Sequence, residues 1–403
     1  MERYGRMARI FKNDKCKVMK RVLIVYSISH QTPLMKSVMA NVSDNTIVID
    51  AVDMEKYVYY KGSDQLSISL FWQKIFAFQC DIPYIRNIVN LILEILHLYA
   101  DKHYLNKIFE EYDIIDFHYF SRQQYPLIKM AYKKNKKIKI NLWGSDLFRV
   151  RPRDKRFQAE GYKIADQVQL ATNLMYEKLI KDYPDLTSKT KIAMFGNSVL
   201  KDNLDYLKLP VNTSFLKNYR SSDGKIVITC GYNGSRAQQH SLIIENINLL
   251  PSEIKSRLHL IIPMTYGASP EYVKEISNHL TGQIYSYDIV DYRLDGVELY
   301  NMRKITDITV NMQVTDAFSG SLQEHIQCGN VLLVGEWLPY NILKENNIYY
   351  LTTSVAELQS NIMHIIKNLR EYKQKCENNK ERIYNLTSWE ALAPKWRQHY
   401  LSI

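Results

Sequence analysis

The sequence lacks most of the features that assign a chain quickly. It has five cysteines in 403 residues, Cys16, Cys80, Cys230, Cys328 and Cys376, with no Cys-x-x-Cys pair. That excludes a disulfide framework and a zinc site, and it suits a reducing, cytosolic compartment. No run of about 18 uncharged apolar residues occurs, so no transmembrane helix is expected. Residues 1–20, MERYGRMARIFKNDKCKVMK, are basic but have no apolar stretch, which excludes a signal peptide. Residues 1–19 read as an extension ahead of the first strand, either disordered or a mis-assigned start. There is no Walker A motif and no GxGxxG fingerprint, which counts against ATP hydrolysis and NAD binding. Short repeats and low-complexity tracts are also missing. Acidic residues are the minority charge: 42 Asp+Glu against 53 Lys+Arg, a formal net charge of +11. A field of that sign points to a polyanion, whether nucleic acid, anionic membrane or a phosphate-bearing substrate.

What is present is an ordinary globular composition, 46% hydrophobic and 24% charged, which excludes disorder. The length predicts two to three domains. The 30 tyrosines suit wet interfaces. Strand and helix signals alternate, the pattern of parallel α/β layers. Buried-strand runs are RVLIVYSI (21–28), NTIVIDAV (45–52), YDIIDFHYF (112–120) and KIKINLWG (137–144), with ADQVQLAT and KIAMFGNS continuing the series. A polar stretch, 201–223, reads as the boundary. The cycle then restarts with KIVITC, RLHLIIP, QIYSYDIV, DITVNMQ and NVLLVGEW, and helices follow after Asn361. The fold class is α/β. The expected divisions are 20–205, 206–385 and a final helix, 386–403.

Ligands of open α/β sheets bind beyond the strand carboxyl ends. GYNGSRAQQH (Gly231–His240) follows one strand and opens a helix, so its glycines and free amides can take a phosphate and Arg236 can reach a diphosphate. The plain alternative is a strand–helix turn with Arg236 merely exposed. TDAFSGSLQEHIQCGNVLLVGEW (Thr315–Trp337) places Asp316 just past a strand and Glu324 one turn into a helix, with Ser319, Gly320 and Ser321 between. Carboxylates there can accept sugar or ribose hydroxyls while the amides take phosphate. The plain alternative is a turn residue and a surface glutamate.

Asp316-x7-Glu324 followed by HIQCGNVLLVGEW resembles the E-x7-E segment of retaining GT-B glycosyltransferases, with Asp in place of the first Glu. LWGSDLF (142–148), GYNGSRAQQH and IIPMTYG (261–267) resemble a second GT-B family, which transfers 4-acetamido-4,6-dideoxygalactose from a dTDP-sugar to a lipid-linked oligosaccharide. Close motif matches cover about a fifth of the chain. In that second family the position of Glu324 is apolar and the enzymes invert. The two resemblances agree on fold and reaction and differ in stereochemistry; the Asp316/Glu324 pair favours retention.

The resemblance implies two Rossmann-like domains facing a cleft, with the last helix, carrying Trp389 and Trp396, crossing back to the first domain. It implies that Glu324 binds the nucleotide ribose and Asp316 the donor sugar. Asn233, Gly234, Ser235 and Arg236 would hold the diphosphate, with Ser319 and the amides of Gly320 and Ser321. Thr265 and Tyr266 would complete the donor side. No metal and no cofactor are expected, since helix dipoles and cations can stabilise the leaving diphosphate. On the first domain, His30, Trp143 and Ser145 would face the acceptor. An inverting enzyme would need a base, for which Asp146, His118 and His30 are the candidates. The alternatives are a hydrogen-bonded strand-end histidine for His118 and a helix N-cap for Asp146.

Two further stretches bear on partners. Residues 65–109 are rich in apolar residues and read as buried helices or, through Trp72, Phe76, Phe78, Lys74, Arg86 and Lys102, as an interfacial surface on anionic lipid. KMAYKKNKKIKI (129–140) and RVRPRDKR (149–156) are solvated faces or contacts to anionic lipid; no zinc finger or aromatic RNA motif supports specific nucleic-acid binding. The expected function is transfer of a sugar from a nucleotide donor to a lipid-linked glycan in bacterial surface-polysaccharide synthesis, at the inner face of the cytoplasmic membrane. The alternatives are a GT-B sugar-nucleotide epimerase and an inactive GT-B scaffold subunit of a synthase.

Overall fold

The computed structural model describes residues 19–27, 31–56, 58–62, 64–67, 103–211, 224–294, 296–316 and 318–403. The extension 1–18, His30 and most of the apolar stretch 65–109, including Trp72, Lys74, Phe76, Phe78, Arg86 and Lys102, lie outside the described residues. The chain divides into two units, Met1–Ala193 with Ala393–Ile403, and Met194–Leu392.

The first unit is built on an eight-stranded sheet. Its strands are β1 (Lys20–Tyr26), β2 (Ile47–Asp53), β3 (Val58–Lys61), β4 (Asp64–Ser67), β5 (Ile114–His118), β6 (Lys137–Asn141), β7 (Gln167–Leu170) and β8 (Thr190–Ile192), in the order β4-β3-β2-β1-β5-β6-β7-β8. All pairings are parallel except β2–β3 and β3–β4, a hairpin turning at Gly62 (φ 57°). Residues 65–67 are therefore strand, where helix was expected, because the turn at Gly62 folds the chain back onto the sheet edge. The parallel strands are buried on both faces, so β1 reads as an unbroken apolar run, Val22–Tyr26.

One side of this sheet buries charge. Lys139 in β6 and Asp116 in β5 are fully buried, 3.5 Å apart. Tyr400 donates a hydrogen bond to Asp116 Oδ2 (2.6 Å) and Asn141 one to Oδ1 (2.5 Å). The Lys139 ammonium lies 3.8 Å above the Tyr400 ring and 4.6 Å above the Trp396 ring. Burial pulls Lys139 down to about 8, against the attraction of Asp116. Burial pushes the Asp116 carboxyl up, but the Lys139 charge and the surrounding donors outweigh it and hold it at about 2. Residues 393–403 thus complete the first unit, and Lys20 Nζ donates to the Ile403 carbonyl (2.8 Å).

The second unit carries a six-stranded, wholly parallel sheet. Its strands are β9 (Ile226–Cys230), β10 (Leu258–Pro263), β11 (Ser286–Val290), β12 (Ile308–Asn311), β13 (Val331–Gly335) and β14 (Leu351–Thr353), ordered β11-β10-β9-β12-β13-β14. Ile228, Leu260, Val310 and Leu333 pack against Ile243, Ile276 and Ile362 from helices His240–Asn248, Pro270–Leu280 and Leu358–Lys367.

The units part at Ala193/Met194 rather than after residue 205. Helix Val199–Tyr206 belongs to the second unit, where Asn203 Nδ2 donates to Gln327 Oε1 (3.0 Å) and Gln327 Nε2 to the Leu200 carbonyl (2.7 Å). The return to the first unit comes at Ala393 rather than 386. Trp389 still packs in the second unit, against Gly196, where any side chain would collide with the indole. Among the described residues no helix is long and apolar enough to cross a membrane.

Candidate functional site

The strand order of the second sheet, 3-2-1-4-5-6 in chain terms, reverses between β9 and β12. The loops beyond their carboxyl ends flank the point where open α/β sheets take ligands.

The loop after β9 turns at Gly231 (φ 69°). Asn233 Oδ1 accepts from the Ser235 amide (2.9 Å), closing an Asx turn, and Ser235 Oγ accepts from the Ala237 amide. Gly234 is needed because a Cβ there would lie 2.4 Å from the Ala268 Cβ. Its amide donates to the Tyr266 carbonyl (2.8 Å), and Asn233 Nδ2 to the Tyr266 hydroxyl (3.3 Å). The loops after β9 and β10 are thereby tied together, with Thr265 half-buried and Tyr266 exposed. A short 3₁₀ turn, Arg236–Gln238, precedes helix His240–Asn248, so the helix starts later than the motif implied. Arg236 turns toward helix Pro270–Leu280, pairing with Glu275 (2.8 Å) and lying 4.3 Å above the Tyr272 ring; it is exposed.

The loop after β12 joins the first through the Val314 amide, which donates to the Ala237 carbonyl (2.9 Å). Asp316 is held by the chain itself. Oδ2 accepts from the Tyr340 hydroxyl and the Ser319 amide (3.2 Å), and Oδ1 from the Tyr232 hydroxyl (3.4 Å). Phe318, buried against Tyr340, has a left-handed backbone (φ 70°), costly for a side-chain-bearing residue and characteristic of sites held in place by their surroundings. Ser319 then caps helix Gly320–Gln327 by accepting from the Leu322 amide. Asn197 Nδ2 donates to the Gly320 carbonyl (3.2 Å).

Glu324 is not a surface glutamate: it is 7% exposed and pairs with Arg303 (Nε to Oε2, 3.1 Å). Arg303 comes from helix Gly296–Ile305 and is itself 3% exposed. Its remaining nitrogens donate to Ser321 Oγ and to His325 Nε2 (3.0 Å). Burial, with Arg303 adding to it, holds His325 well below the usual histidine range, so the ring is neutral. No sequence signal marked Arg303, whose partners lie 18 to 22 residues away. Among the described residues no group of three or more His, Cys, Asp or Glu is placed to hold a metal ion.

In the first unit the base candidates His118 and Asp146 are buried, and Trp143 and Ser145 are half-buried. His118 ends β5, 3.4 Å from Asp116 and stacked on Trp396, with Trp143 at its edge. Ser145 Oγ donates to the Tyr119 hydroxyl (3.0 Å). Asp146 does not cap its helix, whose N-cap is Gly144. Its carboxylate instead accepts three backbone amides, those of Trp143 (2.8 Å), Gly144 (3.0 Å) and Phe120 (3.0 Å), and so stitches the loops after β5 and β6 together. Burial pushes Asp146 from 3.8 up to about 7, with those amides pulling the other way. A carboxyl raised in the folded state supports folding fully below its unfolded pKa and loses that support as pH rises through about 7. The stability difference between wild type and Asp146→Asn, followed by urea melts from pH 4 to 8, is therefore expected to narrow as pH rises. The basic run 129–140 is partly spent internally: Lys139 is buried, Lys134 pairs with Glu110 (2.7 Å) and Lys137 with Asp166 (2.8 Å).

No protein-family model and no curated protein matches the sequence. Solved structures do match in fold. Sucrose-phosphate synthase from Thermosynechococcus elongatus aligns over 95% of this chain and 98% of its own at 14% identity, with a TM-score of 0.66. Anabaena HepE in complex with UDP aligns over 96% and 100% at 13% identity, TM-score 0.64. A glycosyltransferase from Rickettsia africae aligns over 96% and 98% at 14% identity, TM-score 0.65. Two parallel-sheet, Rossmann-like units in this order, matched along nearly the whole length of such structures, identify the fold as GT-B.

Proposed function

We propose that the protein is a glycosyltransferase that takes its sugar from a nucleoside diphosphate donor bound at the carboxyl ends of β9, β10 and β12. The observation that carries this is the Ser319-capped helix at the sheet's reversal point, with Ser321 and Glu324 on one face and the Asn233–Ser235 turn hydrogen-bonded beside it. Free amides at a helix start suit a phosphate, and a carboxylate one turn on suits a ribose hydroxyl. That HepE was solved with UDP supports the same donor class.

In this reading the amides of Gly320 and Ser321 stabilise the leaving diphosphate without a metal. Asp316 acts through the loop that it ties together, beside the donor sugar. Arg236 must leave Glu275 to reach the diphosphate, which its exposure permits. The Asp316/Glu324 pair favours retention, which needs no general base, in keeping with the burial of His118 and the buried, loop-organising placement of Asp146. A lipid-linked glycan acceptor at an anionic membrane, in surface-polysaccharide synthesis, accords with the net charge of +11.

A thermal-shift panel of UDP, dTDP, GDP, CMP, ATP, NAD and random RNA tests the donor site, because a ligand that binds only the native state raises the melting temperature by mass action. The expected result is a shift with one nucleoside diphosphate, insensitive to EDTA. Silence from every nucleotide sinks the reading in favour of a scaffold. Release of an altered sugar nucleotide without any acceptor points instead to an epimerase. Arg236→Ala is expected to cut donor turnover about 100-fold, the scale of one lost charge-stabilising contact; an unchanged rate removes Arg236 from the site.

A further inference from the structure

All the guanidinium nitrogens of Arg303 are spent on one face of one helix, at Ser321, Glu324 and His325. The residue is fixed at its other end as well, where its carbonyl accepts from Asn330 Nδ2 (2.9 Å). His325 is fixed in turn: its Nε2 faces Arg303, and its Nδ1 lies 2.9 Å from Thr309 Oγ1 on β12 and 2.8 Å from Asn330 Nδ2. Helix stabilisation does not account for this. A cation beside the first turns of a helix opposes the helix dipole.

The arrangement does have a directional consequence. Ser321 Oγ accepts from Arg303, so its own proton is left to donate elsewhere. Glu324 spends Oε2 on Arg303, while Oε1 faces the helix start, 3.9 Å from where a side chain at Gly320 would begin, with Asn197 Nδ2 3.3 Å from the same point. We infer that Arg303 is the positioning residue of the donor site, presenting Ser321 as a hydrogen-bond donor to a phosphate oxygen and Glu324 Oε1 as an acceptor for a ribose hydroxyl. The inference rests on the donor reading above. A rigid, planar fork holds its three partners from three separate nitrogens at fixed angles, whereas the three donors of a lysine radiate from a single point charge.

The test compares binding of UDP and 2′,3′-dideoxyuridine 5′-diphosphate by calorimetry. The wild-type protein is expected to prefer UDP by at least about tenfold, the scale of one charge-assisted hydrogen bond. Arg303→Lys and Glu324→Gln should each bring that ratio close to one, and the double variant should go no further than either. A loss of general order would weaken both nucleotides alike and leave the ratio unchanged. His325→Phe, which removes one anchor of the guanidinium and touches no ligand, should lower the ratio part of the way and serves if Arg303→Lys does not fold. A wild-type preference retained in both Arg303→Lys and His325→Phe overturns the inference and leaves the donor reading standing. A wild-type protein that binds neither nucleotide overturns the donor reading itself.

Discussion

Glu324→Ala is expected to lose about 3–5 kcal/mol of unfolding free energy, the cost of stranding a buried charge when its partner is removed. Arg303 has no water to turn to: it is 3% exposed, and its other contacts, Ser321 and His325, are uncharged. With total stabilities of about 5–15 kcal/mol, the alanine variant should sit near the edge of folding. Glu324→Gln keeps the shape and one acceptor oxygen, so it should fold while losing about 100-fold in donor turnover. The two variants therefore separate the structural part of Glu324 from its ligand-binding part. Urea midpoints and donor turnover, measured side by side, check both; an alanine variant as stable as wild type would show that the Arg303 pair is not formed.

Asp116→Ala carries the second large effect, again about 3–5 kcal/mol, because it leaves the Lys139 ammonium buried against the Trp396 and Tyr400 rings without its carboxylate. Lys139→Met should cost a similar amount by stranding the carboxylate. Combined as Asp116→Asn and Lys139→Met, the changes should recover much of the loss, since contacting residues couple by about 0.5–3 kcal/mol. The pH dependence has a definite sign. Asp116 is depressed from 3.8 to about 2, so its contribution is present above about pH 4 and disappears as pH falls through about 2. Acid melts of wild type should show this loss, and Asp116→Asn should not. In Asp116→Ala, limited proteolysis should release residues 393–403 early, since Tyr400 loses its acceptor.

The parallel strands were legible because burial on both faces leaves unbroken apolar runs such as VLIVY and VLLVG. The β3–β4 hairpin was not: VYYK and DQLS are short, and DQLS leads directly into the apolar stretch after it. At the candidate site, Asp316, Ser319 and Glu324 stood out through spacing along one loop and helix. Arg303 did not, because its meaning lies in partners on another helix, brought within 3.1 Å by the fold alone. The Lys139–Asp116 pair failed to stand out for the same reason: a lysine inside KIKIN reads as the polar side of an alternating strand, and nothing local says that two aromatic rings from residues 396 and 400 will cover it. For Asp146, a candidate base, the sequence offered only a local alternative, a helix cap. Its real partners include Phe120, 26 residues away.

The return of residues 393–403 to the first unit also sets an order of events during synthesis. The second unit, 194–392, is continuous and can fold as soon as it leaves the ribosome. The first unit has its eight strands early, but Lys139 and Asp116 wait uncovered until Trp396 and Tyr400 are made. At about 5–20 residues per second, that delay lasts on the order of tens of seconds. For that interval the nascent chain carries an unsealed sheet face, which is where chaperone dependence of this protein should be sought.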